Sequence, residues 1–227
     1  TTISSLRISS NGNELMVGLK NVERIGRLTD SGDIQANILR IDLASGKVID
    51  SWNTDLETDH VAISPDFDFV YAGSTLKKYD LKQKSSHSMR SNLGATNLNA
   101  ESIPISADGK YLVIFDEAYY LADAERGEYL LQLHSEGEDV RTAAFSEDNH
   151  WLATGGSASG LHGGAFIWNL KTFEKVGILW KMRETVNACA LSRNGSMLIT
   201  GGTAGSFHVW SIHTDTIRDI KALDTEH

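Results

Sequence analysis

Hydrophobic and polar positions along this chain change in short runs that do not follow the spacing of a helix. A short apolar run precedes a serine, Asp, Asn and Gly follow within a few residues, and a second apolar run comes next. The serines that open these turns are Ser9, Ser64, Ser106, Ser146 and Ser192. They lie roughly 40 to 55 residues apart. Such a pattern predicts short β-strands joined by tight turns.

Each repeat contains two further strands. The third strand ends in an aromatic or apolar residue and often a polar one, as in Ile41-Asp42 and Trp168-Asn169. A second turn and a weaker fourth strand then close the repeat, as in SGKVIDSW after Ala44. Four short antiparallel strands in every 40-odd residues are typical of the blades of a β-propeller. We therefore predict an all-β fold, with residues 1–227 forming one propeller domain of five four-stranded blades. The predicted blades span about 1–54, 55–94, 95–135, 136–181 and 182–227.

Two repeats, Val140–Leu170 and Val186–Ile212, resemble the repeats of the Trp-Asp (WD) family. Both have an apolar residue before the turn serine, then Thr-Gly-Gly, then a Trp in the third strand. The resemblance implies a β-propeller that serves as a platform for protein partners. The family's Gly-His pair is absent ahead of the repeats, and Thr203-Ala204-Gly205 stands where its buried Asp would lie. These are divergent blades.

The resemblance also implies a role for two tryptophans. Trp168 and Trp210 are expected in the core between blades, each with a threonine partner, Thr154 and Thr200. With the His and the Asp missing, only these halves of the family's buried polar tetrad are predicted.

Five blades leave three alternatives for the whole fold. In the first, the five blades close on themselves, because a smaller propeller needs only more wedge-shaped blades. In the second, the chain is part of a larger propeller, for example a seven-bladed one, which agrees with the lack of an initiating Met. In the third alternative, another chain or segment donates the remaining blades. The second alternative is favoured slightly.

Two long connections between strands two and three suggest one functional face. They are Lys20–Asn37, which contains Arg24 and Arg27, and Ser157–Gly164, which contains His162. In an up-and-down sheet these connections emerge on the same side as the links between blades. Loops on one side of a rigid scaffold often carry the binding residues, although surface loops also tolerate extra length at little cost.

A second set of candidates lies five residues before each turn serine. All five residues there are polar, whereas the residues one and three before the serine are apolar. The five are Ser4, Asp59, Glu101, Arg141 and Asn187. They begin the innermost strands and are expected to surround the mouth of the central channel. Either they contact a protein partner or they are polar because strand ends are solvated.

Composition narrows the choice of function. A formal net charge of −9 argues against general attraction to nucleic acid or to anionic membranes, and no apolar run approaches the length of a membrane span. The single Cys189 excludes disulfide frameworks within the chain and fits a cytoplasmic protein. The basic stretch Lys77–Arg90 is interpreted as lysines that protect an outer sheet edge. The eight histidines are scattered singly, and nothing indicates a metal, a cofactor or catalytic residues.

An enzyme remains the alternative. Some propellers hydrolyse glycosides or lactones, and Asp59 and Glu101 occupy equivalent positions in adjacent blades. A carboxylate pair across a channel could serve as acid and base. Our main prediction is a non-catalytic protein-interaction scaffold, acting as a subunit of a complex.

Overall fold

The described part of the protein is built of strands and turns. The computed structural model describes residues 2–20, 25–29, 32–34, 37–54, 61–72, 76–89, 103–116, 118–133, 138–158, 162–182 and 184–212. Within these ranges there is no helix, and the predicted all-β fold class is confirmed. It follows that none of the described residues forms a helix with the length and hydropathy of a transmembrane span.

The strands are short and follow the predicted repeats. They are β1 (Thr2–Ile8), β2 (Glu14–Lys20), β3 (Ile25–Thr29), β4 (Gly32–Ile34), β5 (Ile38–Asp42), β6 (Val48–Trp52), β7 (Val61–Ile63), β8 (Phe69–Ala72), β9 (Lys77–Asp80), β10 (Ser85–Ser88), β11 (Tyr111–Asp116), β12 (Ala118–Asp123), β13 (Tyr129–Gln132), β14 (Glu138–Phe145), β15 (Trp151–Ala158), β16 (His162–Asn169), β17 (Glu174–Met182), β18 (Val186–Leu191), β19 (Met197–Gly202) and β20 (Phe207–Ser211).

Five sheets correspond to the five repeats, and we number them as blades 1 to 5. Their strand orders are β1-β2-β5-β6, β7-β8-β9-β10, β11-β12-β13, β14-β15-β16-β17 and β18-β19-β20. Strands adjacent in these lists pair as antiparallel neighbours in blades 1, 2, 4 and 5. The hairpin β3-β4 is inserted between the second and third strands of blade 1.

Blade 3 departs from the predicted pattern at its first strand. The sequence predicts an innermost strand Ile103–Ile105, but only Ile105 bridges a neighbour there. Pro104 has no N–H to donate to a sheet, which limits this segment to a single bridge. The fourth strand predicted for blade 5, in the stretch TIRDIKAL, lies outside the described residues.

The same turn joins the first two strands of every blade. In blade 3, Ser106 Oγ donates to Asp108 Oδ1 at 2.8 Å and accepts a bond from the Tyr111 N–H at 2.9 Å. The Asp108 carboxylate also accepts from the Lys110 N–H at 3.1 Å. Equivalent bonds to the turn serine and its Asp or Asn occur in the other four blades.

The residue three positions after each turn serine has a left-handed backbone. The five residues with this positive φ are Gly12, Phe67, Gly109, Asn149 and Gly195. Glycine adopts such a φ without the steric cost that a Cβ atom brings. The recurrence of Gly in the turn motif therefore has a backbone cause.

The chain divides into two compact units. One comprises Thr1–Ile105, Phe115–Glu117 and Ala124–Glu128, and the other comprises Ser106–Ile114, Ala118–Asp123 and Tyr129–His227. The first unit holds blades 1 and 2, and the second holds nearly all of blades 3, 4 and 5.

In the first unit, blades 1 and 2 share an apolar core. Met16 and Ile38 of blade 1 pack in one cluster with residues of blade 2, among them Val61 and Val70. Trp52 belongs to the same cluster, and its indole Nε1–H donates to the Leu81 carbonyl at 2.9 Å. Burial of these side chains stabilises the blade pair, because each twisted sheet alone would leave an apolar face in water.

In the second unit, each neighbouring pair of blades has its own cluster. Trp168 of blade 4 packs with Val113 and Leu121 of blade 3. Trp210 of blade 5 packs with Ala153 and Ile167 of blade 4. Each tryptophan therefore lies on the side of its blade that contacts the preceding blade.

The two tryptophans also make the polar contacts that the sequence suggests. Trp168 Nε1–H donates to Thr154 Oγ1 at 3.0 Å, and Trp210 Nε1–H donates to Thr200 Oγ1 at 2.9 Å. Both threonines are fully buried, so these bonds satisfy indole donors that water cannot reach.

Candidate partner-binding face

The position five residues before the turn serine is a β-bulge wherever the structure describes it. In blade 4, Val140 pairs with Gly156 and Thr142 pairs with Gly155, which leaves Arg141 as the extra residue. Asn187 has the same place in blade 5, between the paired residues Val186 and Ala188.

Blade 1 repeats the bulge at Ser4. Ile3 pairs with Leu19 and Ser5 with Gly18, so that Ser4 is unpaired in the ladder. A bulge bends its strand and redirects the side chain of the extra residue. Ser4, Arg141 and Asn187 are therefore all placed by the same kind of bulge.

Arg141 and Asn187 are exposed at these bulges. Their neighbours in sequence, Val140 and Val186, are 1% and 0% exposed. The bulge thus separates a fully buried valine from a solvent-facing polar residue at the start of the innermost strand. Both candidates are therefore on the surface of the unit, and the adjacent valines fill its interior.

Ser4 differs from the other two bulge residues. It is only half-exposed, and its Oγ is buried with no hydrogen-bond partner in the described structure. This hydroxyl lies 3.1 Å from the place where a Cβ atom on Gly18 would be. Ser4 therefore packs against its own sheet more closely than Arg141 or Asn187 does.

A glycine faces each bulge across the ladder. Gly18, Gly155 and Gly201 all lie nine residues after their turn serines and pair with the residue that follows the bulge. A Cβ atom on Gly155 would lie 2.5 Å from Val186 Cγ1 of blade 5. The missing side chain lets the first strand of blade 5 approach blade 4 at the bulge.

The long connections emerge beside the bulges. In blade 4, Glu138 at the start of β14 pairs with Ala158, which in turn pairs with His162. The extra segment of this blade therefore lengthens the β15-β16 hairpin past the bulge of β14. In blade 1, the extra segment contains the hairpin β3-β4, with Ile25 paired to Ile34.

The remaining candidates are placed less completely. Arg27 lies in β3 and His162 in β16, but their side chains are outside the description, as are Arg24, Asp59 and Glu101 altogether. The structure therefore assigns three of the eight candidates, Ser4, Arg141 and Asn187, to one kind of backbone site.

Glu184 is a residue of this face that the sequence reasoning missed. Its carboxylate accepts hydrogen bonds from the Ala204 N–H and the Ser206 hydroxyl, in the turn that joins β19 and β20. These donors, the Ser206 hydroxyl first, hold the pKa of Glu184 below its ordinary value, against a smaller opposing effect of burial. A Cβ atom on Gly202 would collide with this carboxylate group. Hydrogen bonds to Glu184 thus connect the segment just before the innermost strand β18 to the turn between strands two and three.

No spacing rule could have identified Glu184. It precedes the two residues that donate hydrogen bonds to it by 20 and 22 residues, and a lone acid ahead of a strand has no distinctive sequence signal. Its role arises because antiparallel pairing returns the β19-β20 turn to the start of β18.

One lysine of the basic stretch also departs from the sequence interpretation. Lys78 in β9 is 2% exposed and pairs with the largely exposed Glu125. Its Nζ lies 4.0 Å from the centroid of the Phe69 ring, within cation–π distance. Lys78 lies on the third strand of blade 2 and not on the outer strand β10, so this buried lysine does not protect the sheet edge.

Comparison with known proteins agrees with the repeat structure. The family model described as "WD domain, G-beta repeat" matches residues 127–169 and 178–211, about a third of the chain. These segments contain the Trp168 and Trp210 strands.

A curated relative is Target of rapamycin complex subunit LST8 from Rattus norvegicus. It is 28% identical over 79 residues, which cover 34% of this chain and 23% of the rat protein. A similar solved structure is Kuenenia stuttgartiensis Hydrazine Synthase, with a TM-score of 0.59 and 13% identity over 91% of this chain and 65% of that one. At 13% identity this likeness shows the fold alone. In both comparisons the chain spans less than two thirds of the other protein. The repeated turns, the Thr–Trp pairs and the family match together identify residues 127–169 and 178–211 as WD repeats, within a fold built of propeller-type blades.

Proposed function

We propose that the protein is a non-catalytic interaction scaffold that binds a protein partner through the face defined by its bulges. This face comprises the starts of the innermost strands and the connections between strands two and three. Its candidate contacts are Ser4, Asp59, Glu101, Arg141, Asn187, Arg24, Arg27 and His162. We place the protein in the cytoplasm and propose that it is a subunit of a complex. The name of the rat relative, a complex subunit, supports the second of these assignments.

The observation that carries the proposal is the recurring bulge. Antiparallel blades could be built with uninterrupted innermost strands, yet the described parts of β1, β14 and β18 are each interrupted at the same repeat position. In two of them the extra residue is polar and exposed beside a fully buried valine. Bulges are enriched where a side chain is redirected towards a functional site.

The chemistry of the face suits a protein surface. Arg141 offers a planar cation with several donors, and Asn187 offers both a donor and an acceptor. Arginine is enriched among the residues that dominate protein–protein binding energy. Because the two residues occupy equivalent positions in neighbouring blades, one partner segment crossing blades 4 and 5 could contact both.

A charge-reversal experiment tests the proposal. The double variant Arg141→Glu/Asn187→Asp would be compared with wild type in quantitative affinity capture from a cytoplasmic extract. Lys171→Glu/Thr172→Asp is the matched control. These exposed residues lie in the turn between strands three and four of blade 4, at the opposite end of the strands from the bulge. The partners captured by wild type should fall at least about tenfold for the bulge variant and persist for the control. Equal capture by all three proteins, at unchanged melting temperature, would refute the assigned face.

We propose in addition that blades from outside this chain complete the propeller. The sequence alternatives included such a donation, and exposed apolar residues on blades 1 and 5 support it. Leu6 and Ile8 of blade 1 are 57% and 60% exposed, and Ile199 of blade 5 is 48% exposed.

A further inference from the structure

Blade 5 presents an apolar surface to solvent. Met197, Ile199 and Phe207 are each close to half-exposed, at 47%, 48% and 47%. Along β19 the exposed residues alternate with Leu198 and Thr200, which are fully buried. One side of the sheet is therefore covered by blade 4, and the other side is open. We define the trailing face of a blade as the side that carries the residues five and seven positions after its turn serine. In blade 5 this face is open.

The same face in blade 4 is covered. Trp151 and Ala153 lie five and seven residues after Ser146, as Met197 and Ile199 do after Ser192. Ala153 is 0% exposed and packs in one cluster with Leu198 and Trp210 of blade 5. The trailing face of this repeat is thus a surface on which the next blade packs.

Blade 1 has the complementary open surface. We call the positions three and one before the turn serine the leading face, and in blade 1 they hold the exposed Leu6 and Ile8. In blade 2 the equivalent Val61 and Ile63 are 3% and 2% exposed and pack in the core shared with blade 1. A leading face is therefore built to lie against the blade before it.

The glycines confirm which faces are filled. A Cβ atom on Gly18 or Gly155 would press on a valine of the following blade, Val61 at 3.3 Å and Val186 at 2.5 Å. At the equivalent Gly201 the nearest atom in the described part of the chain is Ala188 Cβ of the same blade, at 3.8 Å. Blade 5 thus has the glycine that in blades 1 and 4 makes room for a valine of the following blade. Here a Cβ atom would make only an ordinary van der Waals contact with Ala188 of the same blade.

We infer that the trailing face of blade 5 binds the leading face of blade 1 of a second copy of this chain. The inference rests on the proposed donation of blades and names the donor. A single chain displays both halves of an interface that its own blades form elsewhere, and apolar side chains dominate both halves. Two copies joined in this way still leave one face of each kind open, so association is head-to-tail and continues to larger assemblies. Burial of the exposed Leu, Ile, Met and Phe side chains provides the driving force.

Sedimentation velocity with complementary variants tests the inference. Leu6→Glu blocks the leading face and Ile199→Glu blocks the trailing face, and both side chains are exposed enough in the free chain to accept a charge. Wild type should form concentration-dependent oligomers, whereas each variant alone should self-associate at least about 30-fold more weakly. An equimolar mixture of the two variants retains one intact leading and one intact trailing face, so it should form a 1:1 dimer and stop there.

Two results would overturn the inference. A wild type that stays monomeric at high concentration points to closure within one chain or to a different donor. A mixture that does not dimerise shows that the two faces do not recognise each other. If either glutamate variant fails to fold by circular dichroism, Leu6→Ser and Ile199→Ser take their places. Arg141→Glu/Asn187→Asp should self-associate like wild type, so that loss of partner capture and loss of self-association report on the two proposals separately.

Discussion

Adding a single methyl group at Gly155 tests how blades 4 and 5 pack. The Cβ atom of Gly155→Ala would lie 2.5 Å from Val186 Cγ1 and 3.0 Å from Thr142 Cγ2. Favourable contacts between carbon atoms need about 3.5–4.0 Å. Both neighbours are held in place, since Val186 is fully buried and Thr142 lies on the paired strand β14. The first strand of blade 5 must therefore shift by about 1 Å or the side chains must leave their rotamers.

The magnitude follows from two opposing effects. Overpacking of a filled core costs about 1–3 kcal/mol. Replacement of glycine by alanine within a strand returns about 0.5–1 kcal/mol, because the unfolded chain loses conformational freedom. We expect Gly155→Ala to lower the free energy of unfolding by about 1–2 kcal/mol, or the melting temperature by about 2–8 °C for a chain of this size.

Gly201→Ala is the matched control. It lies at the equivalent position of the next blade, and among the described residues its new Cβ would meet only Ala188 Cβ, at 3.8 Å. We expect its melting temperature to equal or slightly exceed that of wild type. Both variants would be compared by thermal circular dichroism and urea titration, at a concentration below that of any self-association.

Two results would contradict this reasoning. If Gly155→Ala is as stable as Gly201→Ala, blade 5 does not press on Gly155. If Gly201→Ala is destabilised as much as Gly155→Ala, the trailing face of blade 5 is already covered in the isolated protein. Val186→Ala combined with Gly155→Ala should give non-additive effects, because the two side chains touch.

Two further predictions concern the core and the turns. Trp210→Ala should lower the free energy of unfolding by about 3–5 kcal/mol. Phe207→Ala, on the open face of blade 5, is the control and should lower it far less. If Trp210→Ala keeps its melting temperature but loses partner capture, Trp210 belongs to the binding face instead. In the turns, partial burial opposes ionisation of Asp66, Asp108 and Asp148, but the serine hydroxyls and backbone N–H groups outweigh it and keep the pKa of each carboxyl below its ordinary value. A folded pKa below the unfolded one means that the stabilisation is full above about pH 4 and is lost as the pH falls through the folded pKa. Acid unfolding of Ser106→Ala, compared with wild type by circular dichroism, should therefore begin at a higher pH, and identical acid midpoints would count against the turn bonds.

Much of the fold followed from local chemistry. The alternation of apolar and polar residues predicted the strands, and each turn serine with its Asp or Asn is satisfied by N–H groups within five residues of it. The resemblance to the WD repeat implied the contact of Trp168 with Thr154, which lie on the paired strands β16 and β15. These features depend on one strand and its immediate neighbour, which is the range over which a sequence pattern carries information.

The candidate face was predicted only in outline. The polar positions at Arg141 and Asn187 were visible in the sequence, but the bulge that exposes them is a mismatch between two strands and has no signal in either one alone. Glu184 was missed because its donors come from the turn that follows the next two strands, β18 and β19.

By itself, the sequence determined the repeat, the strand types and the turn geometry, because each of these depends on residues close together in the chain. The tertiary structure decided which side of each blade is buried. Ala153 and Ile199 occupy equivalent repeat positions, yet one is fully buried and the other is 48% exposed. The physical reason is that burial is conferred by a neighbouring sheet, and an apolar residue in a strand pattern does not reveal whether such a neighbour is present.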